Sequence, residues 1–143
     1  MMSNPISYKE YLAENGSMTY TNVGRSMLPL LRQGRDLFPL EKKGPGRCRV
    51  GDVVLYCQGE KYILHRVVEV REKDYIILGD NCIRREFGIT DDNIIGVMTG
   101  FVQGGKEHSV TEPGYRLYSA LWLHTEKPRV FLKRGRAWLR RRL

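Results

Sequence analysis

Long apolar runs are missing from this chain. No stretch approaches the ~18 consecutive apolar residues that would span a bilayer, and Met1 to Pro5 has no apolar core of signal-peptide length. Neither a membrane anchor nor a cleaved leader is expected, so the chain reads as soluble or peripheral. Cysteine is scarce too. Cys48, Cys57 and Cys82 form no Cys-x-x-Cys pair and are odd in number, which argues against a disulfide framework or structural zinc and for a reducing, cytoplasmic compartment. No metal or other cofactor is expected. Acidic residues are absent from Lys127 to Leu143, where eight lysines and arginines gather, while the preceding residues hold sixteen of each sign. The net charge of +8 therefore belongs to the tail.

At 143 residues the chain has room for one domain with a real core. Short β-branched and aromatic runs, 15 glycines and frequent turn signals point to a mostly β fold. Ser7-Tyr8-Lys9-Glu10 fits a capping box, and the apolar stripe of Tyr8, Tyr11 and Leu12 predicts a short helix from Tyr8 to Glu14. Alternation then predicts a strand from Met18 to Val23. Asp36 to Leu40 reads as an edge strand, because Pro39 cannot donate to a central ladder. Strands are expected at Val53 to Tyr56, Tyr62 to Val70, Tyr75 to Leu78, Ile94 to Val102 and His108 to Val110. A helix over Tyr115 to His124 is separated by Pro128 from a basic helix, Arg129 to Leu143. Residues 1–126 form the body of the domain, and 127–143 its basic tail.

Gly24-Arg25-Ser26-Met27-Leu28-Pro29 holds a hydroxyl at a tight turn after a strand, which makes Ser26 a candidate nucleophile. Gly24 permits positive φ, and Pro29 keeps a helix from running back into the turn. Gly24, Arg25 and Met27 frame the backbone N–H groups that could face an oxyanion. Most Gly-x-Ser-x segments are plain turns.

His65 adds to that candidate. If Arg71 to Asp74 connects two antiparallel strands with Val70 opposite Tyr75, an unbroken ladder sets His65 opposite Asp80. Such pairs stand about 4.5–5.5 Å apart at Cβ, close enough for a carboxylate to orient an imidazole. A connection of odd length would send Asp80 to the other face. A histidine on an apolar strand is also often a satisfied core residue. Spacing alone does not bring Ser26 to His65.

Taken in order, Gly24-x-Ser26-Met27-x-Pro29, Gly51-Asp52-Val53-Val54, Leu64-His65-Arg66-Val67-Val68 and Gly79-Asp80-Asn81 resemble the motif series of the signal peptidase I and self-cleaving repressor superfamily. The resemblance covers Val23 to about Gly100 and is closest to the histidine type found in the endoplasmic reticulum and its bacterial relatives, since His65 stands where other members have lysine. It implies a small coiled, β-barrel-like peptidase domain. It also implies that Ser26 attacks a peptide carbonyl, His65 acts as base and then acid, and Asp80 orients His65. The implied substrate is a preprotein or leader-like peptide with small residues before the cut. Membrane members carry a hydroxyl residue where this chain has Gly24, and they have a transmembrane anchor.

Other residues read more simply. Asp36 and Asp52 follow turn glycines and should bond nearby backbone. Nothing nearby lowers the pKa of Cys82, and His108 and His124 fall at a hairpin and a helix end. In the tail, Val130, Phe131, Ala137, Trp138 and Leu139 alternate with arginines. Lys127 to Leu143 could lie on an anionic membrane surface, or pack its apolar residues on the sheet; nucleic acid is disfavoured for want of a reader motif. The alternative to a peptidase is a non-catalytic β module that docks to membrane, RNA or a partner through this tail. A repressor-like domain cutting its own chain is disfavoured, because no long linker precedes Ser26.

Overall fold

The computed structural model describes residues 7–21 and 24–142, and within them nine strands and three helices. Helix α1 (Tyr8–Asn15) begins where the Ser7 side chain accepts the Glu10 N–H at 3.1 Å. It ends at Gly16, whose φ of 80° lets its N–H close on the Leu12 carbonyl. Eight residues make a marginal helix alone; full burial of Leu12, about 1.5–3 kcal/mol, ties it to the sheet.

Strands β1 (Ser17–Thr21), β2 (Leu37–Lys42), β3 (Val53–Gln58), β4 (Lys61–Val70), β5 (Tyr75–Leu78), β6 (Glu86–Ile89), β7 (Ile94–Met98), β8 (Gly100–Gln103) and β9 (Lys106–Ser109) form one antiparallel sheet. Its order is β6-β5-β4-β3-β7-β2-β8-β9, with β1 also paired to β2. The protein is thus mostly β, and the sheet is open, with β6 and β9 at its ends. Helices α2 (Pro113–His124) and α3 (Glu126–Arg142) complete the chain. Central strand β3 is buried on both faces. Val53 and Leu55 join Met27, Leu31, Phe38 and Leu40 in one cluster, and Val54 and Tyr56 join Val67, Tyr75 and Ile77 in another.

Several expectations change. Strand β2 is no edge, since it pairs with β1, β7 and β8. Pro39 is tolerated because the β7–β8 chain breaks its ladder opposite it: pairing jumps from Leu40↔Met98 to Leu37↔Val102, and only the Pro39 carbonyl is engaged there, by the Thr99 N–H. Pro128 does not separate two helices but sits in the first turn of α3, where its missing N–H has no intrahelical partner to lose. Strand β6 was not anticipated; four residues interrupted by Gly88 carry no clear alternation. Asn22 and Val23, the expected end of β1, lie outside the described residues, as do Met1 to Ile6 and Leu143. No helix among the described residues is long and apolar enough to cross a membrane.

Candidate active site

The ladder between β4 and β5 decides which residues meet. Val70 pairs with Tyr75 and Glu69 with Ile76, as expected, but a bulge at Val68 then shifts the register to Val67↔Ile77 and Arg66↔Leu78. The extra residue brings His65 level with Gly79 and corrects the expected His65–Asp80 pair. Asp80 instead meets Arg66, on the face of β4 opposite His65. Arg66 Nε and Nη2 donate to the two carboxylate oxygens of Asp80 at 2.7 and 2.8 Å. Both side chains are almost wholly buried. Arg66 Nη1 reaches the Gly51 carbonyl, Tyr115 and Ser119, and the Tyr118 hydroxyl donates to Asp80 at 2.7 Å. The guanidinium's planar fork satisfies a buried carboxylate better than an imidazole can. Asp80 therefore anchors α2 through Arg66 and does not orient His65.

The loop after β5 is stitched to the Ser26 turn. The Asn81 N–H donates to the Ser26 carbonyl at 2.8 Å and the Asn81 side-chain amide to the Arg25 carbonyl at 3.0 Å. Met27, fully buried, receives the Asp80 N–H at its sulfur. Gly24 has the positive φ the turn requires, 83°, but its N–H donates to Gln33 Oε1 and is not open to an oxyanion. The N–H groups of Ser26 and Met27 have no acceptor among the described residues. They are the donors the turn can offer to developing negative charge. The Leu28–Pro29 peptide is cis.

Gly79 is where the Ser26 backbone and the imidazole approach one another. A Cβ there would lie 2.8 Å from the Ser26 carbonyl oxygen, 2.9 Å from His65 Cδ2 and 2.7 Å from Cys82 Sγ. Only glycine fits this crossing. Ser26 Oγ makes no hydrogen bond among the described residues. Ser26 borders a mostly apolar cleft of about 430 Å³ lined by Tyr8, Tyr20, Phe38, Leu55 and Tyr62, with Thr21 and Lys61 also on its wall. His65 opens onto a different, basic groove beneath α3.

Two residues the sequence reading missed hold the imidazole. Tyr56 Oη lies 3.2 Å from His65 Nδ1 and gives its own proton to Glu86 Oε2 in a short hydrogen bond. With that proton committed, the hydroxyl accepts from Nδ1–H, so His65 takes the tautomer whose Nε2 lone pair is free. Cys82 Sγ faces Nε2 from 4.0 Å away. Burial pulls the His65 pKa below 6.5 and outweighs the opposing pull of Glu86 and Asp80, so the ring is neutral at neutral pH. Burial and the bond to Glu86 push Tyr56 far above its usual range, and burial raises the Cys82 thiol. A protonated thiol is a poor nucleophile. Tyr56 was legible in principle: Val54 pairs with His65, which puts Tyr56 diagonally beside the ring on the same face. Glu86, on the unanticipated β6, gave no signal.

The other candidates take structural parts. Asp36 accepts N–H groups of Arg32 and Gly104, Asp52 accepts that of Arg49, and His108 bonds Glu112. All three cysteines are free thiols. No group of three or more His, Cys, Asp or Glu among the described residues is placed to hold a metal ion. No protein-family model, curated protein or solved structure matches the chain.

Proposed function

We propose that this chain is a serine endopeptidase of signal-peptidase type, with Ser26 as nucleophile and His65 as general base. The observation that carries the reading is the buried His65 ring, tied at Nδ1 to Tyr56 and through it to Glu86, and set across Gly79 from the Ser26 turn. On substrate engagement Nε2 takes the Ser26 proton as Oγ attacks the scissile carbonyl. The imidazolium is then stabilised through Nδ1–H, Tyr56 and the Glu86 carboxylate, and it returns the proton to the leaving amine. Water later opens the acyl-enzyme with His65 again as base. The apolar cleft beside Ser26 suits the apolar part of a signal- or leader-like peptide.

Cleavage of a mixed peptide library, read by mass spectrometry, tests this. Cuts should appear with the wild type and with Cys82→Ala and vanish with Ser26→Ala. Cuts that survive Ser26→Ala but not Cys82→Ala would move the nucleophile to the thiol beside Nε2. No cuts by the wild type would favour the non-catalytic docking module.

A second reading concerns location. On α3 apolar residues stand exposed together with the arginines: Phe131, Leu132, Trp138 and Leu139 are 76%, 59%, 50% and 52% exposed. Their i, i+1, i+7, i+8 spacing makes one stripe, flanked by Lys127, Arg134 and Arg141, with Arg142 lying over the Trp138 ring. This stripe lies on an anionic membrane surface, lipid-facing aromatics inward and cations at the headgroups. Free thiols suit a reducing compartment, so the surface is the cytoplasmic one. Phe131→Ser with Trp138→Ser should abolish co-sedimentation with phosphatidylglycerol vesicles; undiminished binding would refute the placement.

A further inference from the structure

Another side of α3 differs from its apolar stripe. Lys133, Arg136 and Arg140 recur at helical spacing and border, with Arg84, a groove of about 560 Å³ that reaches His65. Its one carboxylate, Glu86, is bonded to Tyr56. No acidic side chain among the described residues forms an ion pair with any of these four cations.

Nor is the helix loosely placed. Three successive rungs clamp it to the loop after β5: Glu126 to Arg85 at 2.6 and 2.8 Å, Arg129 to the Asp80 carbonyl at 3.3 Å, and Lys133 to the Asn81 carbonyl at 2.9 Å. Asn81 is the residue that holds the Ser26 carbonyl, so Lys133 is fixed relative to the nucleophile. Burial pulls the Lys133 pKa down; Cys82 opposes this, while Arg129, Arg136 and Arg25 add to it. A set of like charges crowded without counter-charge repels itself, and an anion bound among them relieves that repulsion.

We infer that this groove binds an acidic segment of the peptide substrate, on the side of the scissile bond that departs as the amine. The inference rests on the peptidase reading. His65 must hand its proton to the leaving amine, and the groove extends from His65, whereas Ser26 borders the apolar cleft. The complete substrate is therefore apolar before the cut and acidic after it. Lipid headgroups are the lesser fit, because the face of α3 suited to lipid is the exposed stripe, centred about a third of a turn from its groove cations.

Peptides sharing one cleavable acyl half, followed by either three glutamates, three serines or three lysines, test the inference by kcat/KM. The glutamate peptide should be cut about tenfold faster than the serine peptide at low salt, mostly through KM, and the lysine peptide more slowly. The preference should fade as salt rises, and Arg136→Gln with Arg140→Gln should erase it. Equal rates for the three peptides, or a preference untouched by the double variant, overturns the groove. Absence of any cut sinks the peptidase reading instead. A binding arm then decides the groove by itself: Glu-Glu-Glu peptide is titrated into the Ser26→Ala protein while the His65 imidazole resonances are followed by NMR. Shifts that the double variant abolishes support the groove. No shift, or shifts produced only by phosphatidylglycerol vesicles, overturn it.

Discussion

Asp80→Asn should act on the fold before it acts on the imidazole. The Arg66 guanidinium is 1% exposed and Asp80 2%, and Nε and Nη2 both depend on the two oxygens that the substitution alters. Asparagine keeps one acceptor, turns the other into a donor facing a donor, and leaves a full charge buried without its partner. Breaking a buried pair on one side costs about 3–5 kcal/mol, a large part of the roughly 5–15 kcal/mol that holds an ordinary domain together. With a urea m-value of about 2 kcal/mol/M, the unfolding midpoint should fall by roughly 2 M. Circular dichroism during urea titration measures it. The double variant Arg66→Met with Asp80→Leu removes both charges and should recover about half of the loss or more. A loss below about 1 kcal/mol in Asp80→Asn would refute the anchoring role, as would a double variant no better than the single. So would an Asp80→Asn protein of full stability whose His65 pKa had moved, because that would return Asp80 to the imidazole.

Tyr56→Phe deletes only the hydroxyl that joins His65 to Glu86; kcat should drop about 10–10²-fold with KM little changed, while the urea midpoint moves far less than in Asp80→Asn. Glu86→Gln should show a smaller loss of the same kind, and unchanged kcat in both would remove the relay from the mechanism. Gly79→Ala forces a Cβ within 3 Å of three heavy atoms, including the His65 ring and the Ser26 carbonyl. It should cost about 1–3 kcal/mol of stability and abolish cleavage, and a fully active alanine variant would contradict the crossing. The acid limb of kcat/KM should lie below pH 6.5, because burial depresses the His65 pKa. By the same sign, the stability gained from keeping the ring neutral is complete above 6.5 and is lost as pH falls through the folded-state pKa; an acid limb above 6.5 would show that burial does not govern the ring.

Much of the local structure was legible because it depends on neighbours in sequence. Ser7 and Gly16 bound α1 as capping chemistry demands, and the β4–β5 connection gave the correct first pairs, Val70↔Tyr75 and Glu69↔Ile76. The error entered at Val68, where one extra residue moved every later pair by one. Nothing in Val67-Val68 announces a bulge, since the unpaired residue is identical to the one before it. Glu86 was hidden for a related reason. Its part in the site comes from β6 pairing with β5, a contact between short segments without periodicity. Arg66 was in plain view beside His65, yet a strand that alternates faces hides the partner of an arginine until the sheet is built.

That alternation explains how one strand serves both fold and chemistry. His65 and Arg66 are adjacent and point to opposite faces of β4, one toward Tyr56 and Glu86, the other toward Asp80 and α2. The loop from Gly79 to Cys82 touches both sides in turn. Gly79 crosses beneath Ser26 and His65, Asp80 closes on Arg66, Asn81 holds the Ser26 carbonyl and receives Lys133, and Cys82 faces Nε2. Four successive residues thus tie nucleophile, base, core ion pair and basic helix together. A change at Gly79, Asp80 or Asn81 should register in both stability and activity, whereas Tyr56 and Glu86, outside this loop, should separate the two.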